Sequence, residues 1–229
     1  MASTVFPLIS FEQQQPRRIW KFRARTGFTL IELLAVMAIV VTMVAIAVPA
    51  FTGIAKGSSL KAGGGSVSNL ALLARQNSLS RNAMTALVMI GAAGTDADFR
   101  AFSLYEITPH PDGSPVVATD WKQIAAWDIL RDGVAVDACT FNASSVPMTP
   151  PFPPLYYHNA SISAYQYVVF LPTGALASTA PAHVRLAPGF IPSGSQAISY
   201  TTKLNGGQPA NYYDISIIAA NGRVKVDRP

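Results

Sequence analysis

Glu32 is the one charged residue in an apolar run of 23 residues from Phe28 to Ala50. A carboxylate at the centre of a lipid-spanning segment costs at least ~2.5 kcal/mol. A plain anchor has no reason to carry it, so Glu32 calls for a counter-charge. Few other residues are spaced for chemistry. His110, His158 and His183 are far apart, with no i, i+4 pair and no H-E-x-x-H. No G-x-S-x-G is present, so no nucleophile elbow is expected. Asp96 and Asp98 bracket a turn and could contribute to a calcium site, but that ion takes six to eight oxygen ligands. Gly63-Gly64-Gly65 lacks the preceding strand and the following Lys-Ser/Thr of a phosphate loop. Arg223, Lys225 and Arg228, with Lys203, are the one cationic group that could contact phosphate. Edge lysines that discourage strand pairing are the competing reading. No catalytic centre, metal or cofactor is expected, and nucleic acid is an unfavoured partner.

The residues around Glu32 read G-F-T-L-I-E-L-L from Gly27 to Leu34, after Arg23 and Arg25. This stretch resembles the N-terminal signature of type IV pilins and type II secretion pseudopilins. The resemblance implies that a prepilin peptidase cuts after Gly27 on the cytoplasmic side and that Phe28 is then N-methylated. It makes Glu32 the fifth residue of the mature chain, a charge used in assembly. Pro49 stands where many members carry a helix-kinking proline. The implied partners are the membrane, the peptidase and other pilin or pseudopilin subunits. An amine freed on Phe28 would be a cation four residues from Glu32, on one helix face. Pairing within a subunit or with a neighbour offsets the desolvation of both charges. Two further readings stay open: a Sec signal peptide cut near Ala45-Ile46-Ala47, and an uncleaved single-span anchor. Either would leave an exported or anchored envelope protein.

The elements that must present these residues follow from pattern and charge. The chain has 229 residues and a formal net charge of +5. Arg17, Arg18, Lys21, Arg23 and Arg25 against Glu12 put +4 of that before Phe28, leaving a nearly neutral remainder. Residues 1–27 therefore read as a basic leader. Residues 28–50 read as a helix of about 35 Å at ~1.5 Å per residue, long enough for a bilayer core of about 30 Å. Basic residues flanking a span stay in the cytoplasm, which places the rest in the periplasm on an inner-membrane protein, before entry into an envelope filament. Residues 51–82 read as an amphipathic continuation of the helix, with Ile54, Leu60, Val67, Leu70 and Ala74 at helical spacing. Gly63 to Gly65 should break or bend it, at about 1 kcal/mol each against alanine.

Residues 83–229 read as an antiparallel β domain. Candidate strands are Thr85 to Ile90, Phe99 to Ile107, Val134 to Val136, Tyr165 to Leu171, Ala182 to Leu186, Tyr212 to Ala219 and Arg223 to Val226. Asn221-Gly222 is the strongest hairpin signal. Trp121 to Leu130 is mixed, a short helical or strand piece, and Gly189 to Gln208 should be loop. Residues 142–164 hold Pro147, Pro150, Pro151, Pro153 and Pro154 and should be an irregular surface excursion. Cys139 is the sole cysteine, which excludes an internal disulfide. V-V-F-L-P-T-G from Val168 and D-I-S-I-I-A-A-N-G-R-V-K-V from Asp214 resemble the last two blocks of the pseudopilin H and FimT-type minor pilin domain. Length and N-terminus are similar to those of the Verru_Chthon cassette protein D group. The expected class is α+β: a long N-terminal hydrophobic helix packed on a small antiparallel β domain. The expected function is a structural pilin-like subunit and no enzyme, with a DNA-binding FimT-like minor pilin as the alternative.

Overall fold

The computed structural model describes residues 27–107, 110, 112, 114–141, 154–162, 164–192, 195 and 197–229, with the backbone alone at 48–56. The leader up to Thr26 and the prolines Pro147 to Pro153 lie outside the described residues. The chain divides into two compact units, Met1–Ala47 and Val48–Pro229.

In the first unit, helix α1 (Leu30–Arg81) begins. Its stretch Leu30–Ala47 is long and apolar enough to cross a membrane, and none of it is buried. Such a surface is stable in water only when something covers it.

In the second unit, α1 buries one stripe, Leu60, Val67, Ala71 and Ala74, all 3% exposed or less. The helix ends where Asn82 turns left-handed at φ 51° and Ala83 N–H reaches back to the Ser78 carbonyl at 3.3 Å. That is a Schellman-type stop, with Asn in the role glycine usually fills. The expected break at Gly63 to Gly65 does not occur: the helix runs through it. A Cβ on Gly64 would lie 2.2 Å from the Tyr213 ring, and one on Gly63 would lie 3.1 Å from Leu130. These glycines let the helix approach the sheet closely.

Four strands, β1 (Met84–Ile90), β2 (Ala101–Ile107), β3 (Lys122–Ile129) and β7 (Tyr165–Phe170), form one sheet in the order β3-β2-β1-β7. A second sheet takes β4 (Val134–Cys139), β8 (Ala182–Phe190), β12 (Tyr213–Ile217) and β13 (Val224–Asp227) in the order β13-β12-β8-β4. Strand β9 (Ser199–Tyr200) pairs with the end of β8. All named pairings are antiparallel. Two small hairpins complete the set: β5 (Leu155–Tyr157) with β6 (Ala160–Ile162), and β10 (Leu204–Asn205) with β11 (Gln208–Pro209).

The helical stripe, Leu87 and Met89 of β1, Val184 and Leu186 of β8, and Ile215 and Ile217 of β12 share one core. A second core lies on the other face of β1, where Ala86, Val88 and Ile90 meet Trp121, Leu155, Tyr157 and Ile162. Covered on both faces, β1 is almost wholly buried. This corrects two expectations and decides a third, that residues 121–130 are either a helical or a strand piece. Residues 154–162 of the proline-rich excursion are a hairpin that caps the first sheet, because Leu155, Tyr157 and Ile162 have an apolar face to fill. Residues 122–129 are an edge strand with register shifts against β2, so their polarity shows no clean alternation. The loop expected from Gly189 onward holds the end of β8 and the strands β9 to β11. There Pro188 lacks an N–H but its carbonyl accepts from Thr201 N–H at 2.9 Å.

Candidate functional site

Thr29 and Glu32 make a reciprocal cap at the start of α1. Glu32 Oε2 accepts from Thr29 N–H at 2.9 Å and from Thr29 Oγ1 at 2.8 Å. Thr29 Oγ1 accepts from Glu32 N–H at 3.3 Å, and Thr29 O accepts from Leu33 N–H at 3.2 Å. Thr29 is thus the N-cap and Glu32 the third helical residue of a capping box, which satisfies two of the four N–H groups a helix start leaves open. This second role for Glu32 was not among the expectations from sequence, although T-x-x-E before an apolar run is its local signal. Among the described residues the other carboxylate oxygen, Oε1, makes no hydrogen bond, so an acceptor remains for a cation. Phe28 is 82% exposed and a Cβ on Gly27 would have nothing within 4 Å. The Gly27–Phe28 bond therefore sits in an open, non-helical segment. Pro49 lies inside the continuous helix, and its side chain is outside the described residues.

The C-terminal cations are not assembled into a site of free positive charge. Lys225 Nζ pairs with Asp227 at 2.9 Å, and that hydrogen bond raises the lysine pKa. The Arg228 guanidinium lies 5.0 Å over the Tyr213 ring. Arg223 is exposed and stands just before β13.

The three histidines are separate. His110 Nε2 is 2.9 Å from Asp120, with Ser114 Oγ 2.7 Å from its Nδ1. His183 contacts Asp214, and His158 stacks on Tyr157 at 4.2 Å. Asp98 is occupied by Gly94 N–H, Thr95 N–H and the Thr95 hydroxyl at 2.7–3.0 Å. No group of three His, Cys, Asp or Glu able to hold a metal occurs among the described residues. Burial pushes the Cys139 thiol up to about 12, which makes it a poor nucleophile.

The family model described as "Prokaryotic N-terminal methylation motif" matches residues 22–48. The chain carries a prokaryotic N-terminal methylation motif. The match takes in Gly27, Phe28, Thr29 and Glu32, the residues of the cap and the exposed bond. No curated protein matches the sequence. Among solved structures, the minor pseudopilin EpsH of the Vibrio cholerae type 2 secretion system aligns at 14% identity and TM-score 0.41, over 75% of this chain and 98% of that one. The type IV minor pilin FimU of Pseudomonas aeruginosa aligns at 13% identity and TM-score 0.40, over 75% of this chain and 93% of that one.

Proposed function

We propose that this chain is a structural pilin-like subunit of a type IV pilus or secretion pseudopilus, cut after Gly27 and N-methylated on Phe28. The observation that carries the reading is the methylation motif at residues 22–48. The exposed apolar stretch Leu30–Ala47, with Glu32 as its one charge, supports it. The basic residues from Arg17 to Arg25 hold the leader in the cytoplasm, and the second unit then lies across the membrane. The apolar helix stores the subunit in lipid. Assembly exchanges its lipid contacts for contacts with other subunits, so the same surface serves both states. Cleavage creates the amine that Glu32 neutralises, and the pairing distinguishes a processed subunit from a precursor.

Intact-mass analysis of membrane-extracted protein tests the reading. The expected product lacks Met1 to Gly27 and carries one methyl group on Phe28. Gly27→Leu should leave the leader attached. A product beginning at Val48, or a retained leader in a strain with active prepilin peptidase, would overturn the proposal.

A further inference from the structure

The chain has two Asn-Gly pairs, Asn205-Gly206 and Asn221-Gly222, and they occupy opposite environments. Asn-Gly is the dipeptide in which a main-chain nitrogen most easily reaches the preceding side-chain amide, since glycine offers no steric hindrance. Whether it does so in a folded chain depends on two groups: the glycine N–H, which is the nucleophile, and the asparagine amide carbon, which is attacked.

At Asn221 both groups are engaged. Gly222 N–H donates to the Ile218 carbonyl at 2.8 Å. Asn221 Oδ1 accepts from Arg223 N–H at 3.0 Å, and the Asn221 carbonyl accepts from Arg75 Nε at 2.7 Å. Gly222 is buried, and a Cβ there would lie 2.1 Å from the Gly174 carbonyl oxygen. The turn is locked against helix α1 and the 172–174 turn, so reaction needs local opening.

At Asn205 neither group is engaged. Gly206 and Gly207, at φ 58° and 82°, form a two-residue turn closed by the Asn205–Gln208 pair, the geometry of a type I′ hairpin. Asn205, Gly206 and Gly207 are all exposed. Among the described residues, neither the Asn205 side chain nor the Gly206 N–H has a hydrogen-bond partner.

We infer that Asn205 is a site of spontaneous deamidation in the folded protein and that Asn221 is protected from it by its hydrogen bonds. Gly206 nitrogen attacks Asn205 Cγ; the N–Cγ bond forms, the Cγ–Nδ2 bond breaks, and the Gly206 proton leaves with the nitrogen as ammonia. Water then opens the succinimide at either carbonyl and yields aspartate or isoaspartate. A neutral hairpin tip becomes anionic, three residues from Gln208, whose Oε1 accepts from Arg185 Nη1 at 2.9 Å. The isoaspartate product also adds a methylene to the backbone at the turn.

The test ages full-length protein in detergent at mildly alkaline pH, folded and in denaturant, and maps both peptides by mass with isoaspartyl methyltransferase labelling. The expected result is conversion at Asn205 in both conditions and at Asn221 in denaturant alone. Asn205→Ser should remove the label from the peptide spanning residue 205 in folded protein. Equal conversion of the two asparagines in the folded chain, or none at Asn205 while the denatured chain converts, would overturn the inference.

Discussion

Gly64→Ala should destabilise the second unit, although alanine is the better helix former. The helical gain is about 1 kcal/mol. Against it, the new methyl would sit 2.2 Å from Tyr213 Cγ and Cδ1 and 2.5 Å from Cδ2. Carbon atoms prefer about 3.5–4.0 Å, so the ring or the helix must move by more than an ångström. Tyr213 is 7% exposed and belongs to the core shared with Ile215 and Leu186, and Arg228 lies over its ring. Overpacking of this kind costs about 1–3 kcal/mol, and so short an approach belongs near the top of that range. The net effect is a loss of about 2 kcal/mol, or a Tm lower by about 4–8 °C for a unit of this size. Gly65→Ala is the internal control. A Cβ there meets nothing within 4 Å, so only the propensity gain remains and Tm should rise by about 2–4 °C. Thermal denaturation of the full chain in detergent, followed by circular dichroism and tyrosine fluorescence, reads both. Tyr213→Leu combined with Gly64→Ala should be milder than the two changes added, because the clash and the ring are one interaction. If Gly64→Ala matches or exceeds Gly65→Ala in stability, the close-approach account of these glycines is wrong.

Two other perturbations separate roles that share one residue or one loop. Glu32→Gln keeps an acceptor for the capping box but removes the charge, whereas Glu32→Ala removes both. Both should still be cleaved after Gly27 and both should fail to enter filaments, since an unpaired buried amine costs about 3–5 kcal/mol; full recovery of the Gln variant in a shear fraction would refute charge pairing. The second concerns acid. The Ser114 N–H and hydroxyl hold the Asp112 carboxyl below the usual range, and the Val117 N–H, with His110, does the same for Asp120. Groups depressed in the folded state contribute stability above the ordinary aspartate value of about 3.9 and lose it as pH falls through their folded values. The protection of the Ser114 and Val117 amides, relative to their intrinsic exchange rates at each pH, should therefore fall below about pH 4, and Asp120→Asn should reduce that pH dependence at Val117.

Much of the second unit was legible because its signals are local. Strand β12 alternates with period two, β1 is a short apolar run buried on both faces, and the Asn221-Gly222 turn before β13 carries its own backbone preference. The helix end near Asn82 was legible for the same reason. Strand β3 was obscured because an edge strand with register shifts has no single face to keep apolar. The β5–β6 hairpin was hidden among prolines, since the apolar surface it covers is supplied by distant strands.

The N-terminal segment is the part that sequence by itself determined. An apolar run, one acid and a glycine before it are properties of consecutive residues, and the T-x-x-E cap belongs to the same stretch. Tertiary structure alone decided the meaning of Gly63 to Gly65. In an isolated helix three glycines are a weakness, yet against Tyr213 and Leu130 two of them are the condition for contact. It also decided which of two identical Asn-Gly pairs is held and which is free. Those outcomes depend on a ring and an arginine far away in sequence, and no local pattern encodes the distance between residues that only folding brings together.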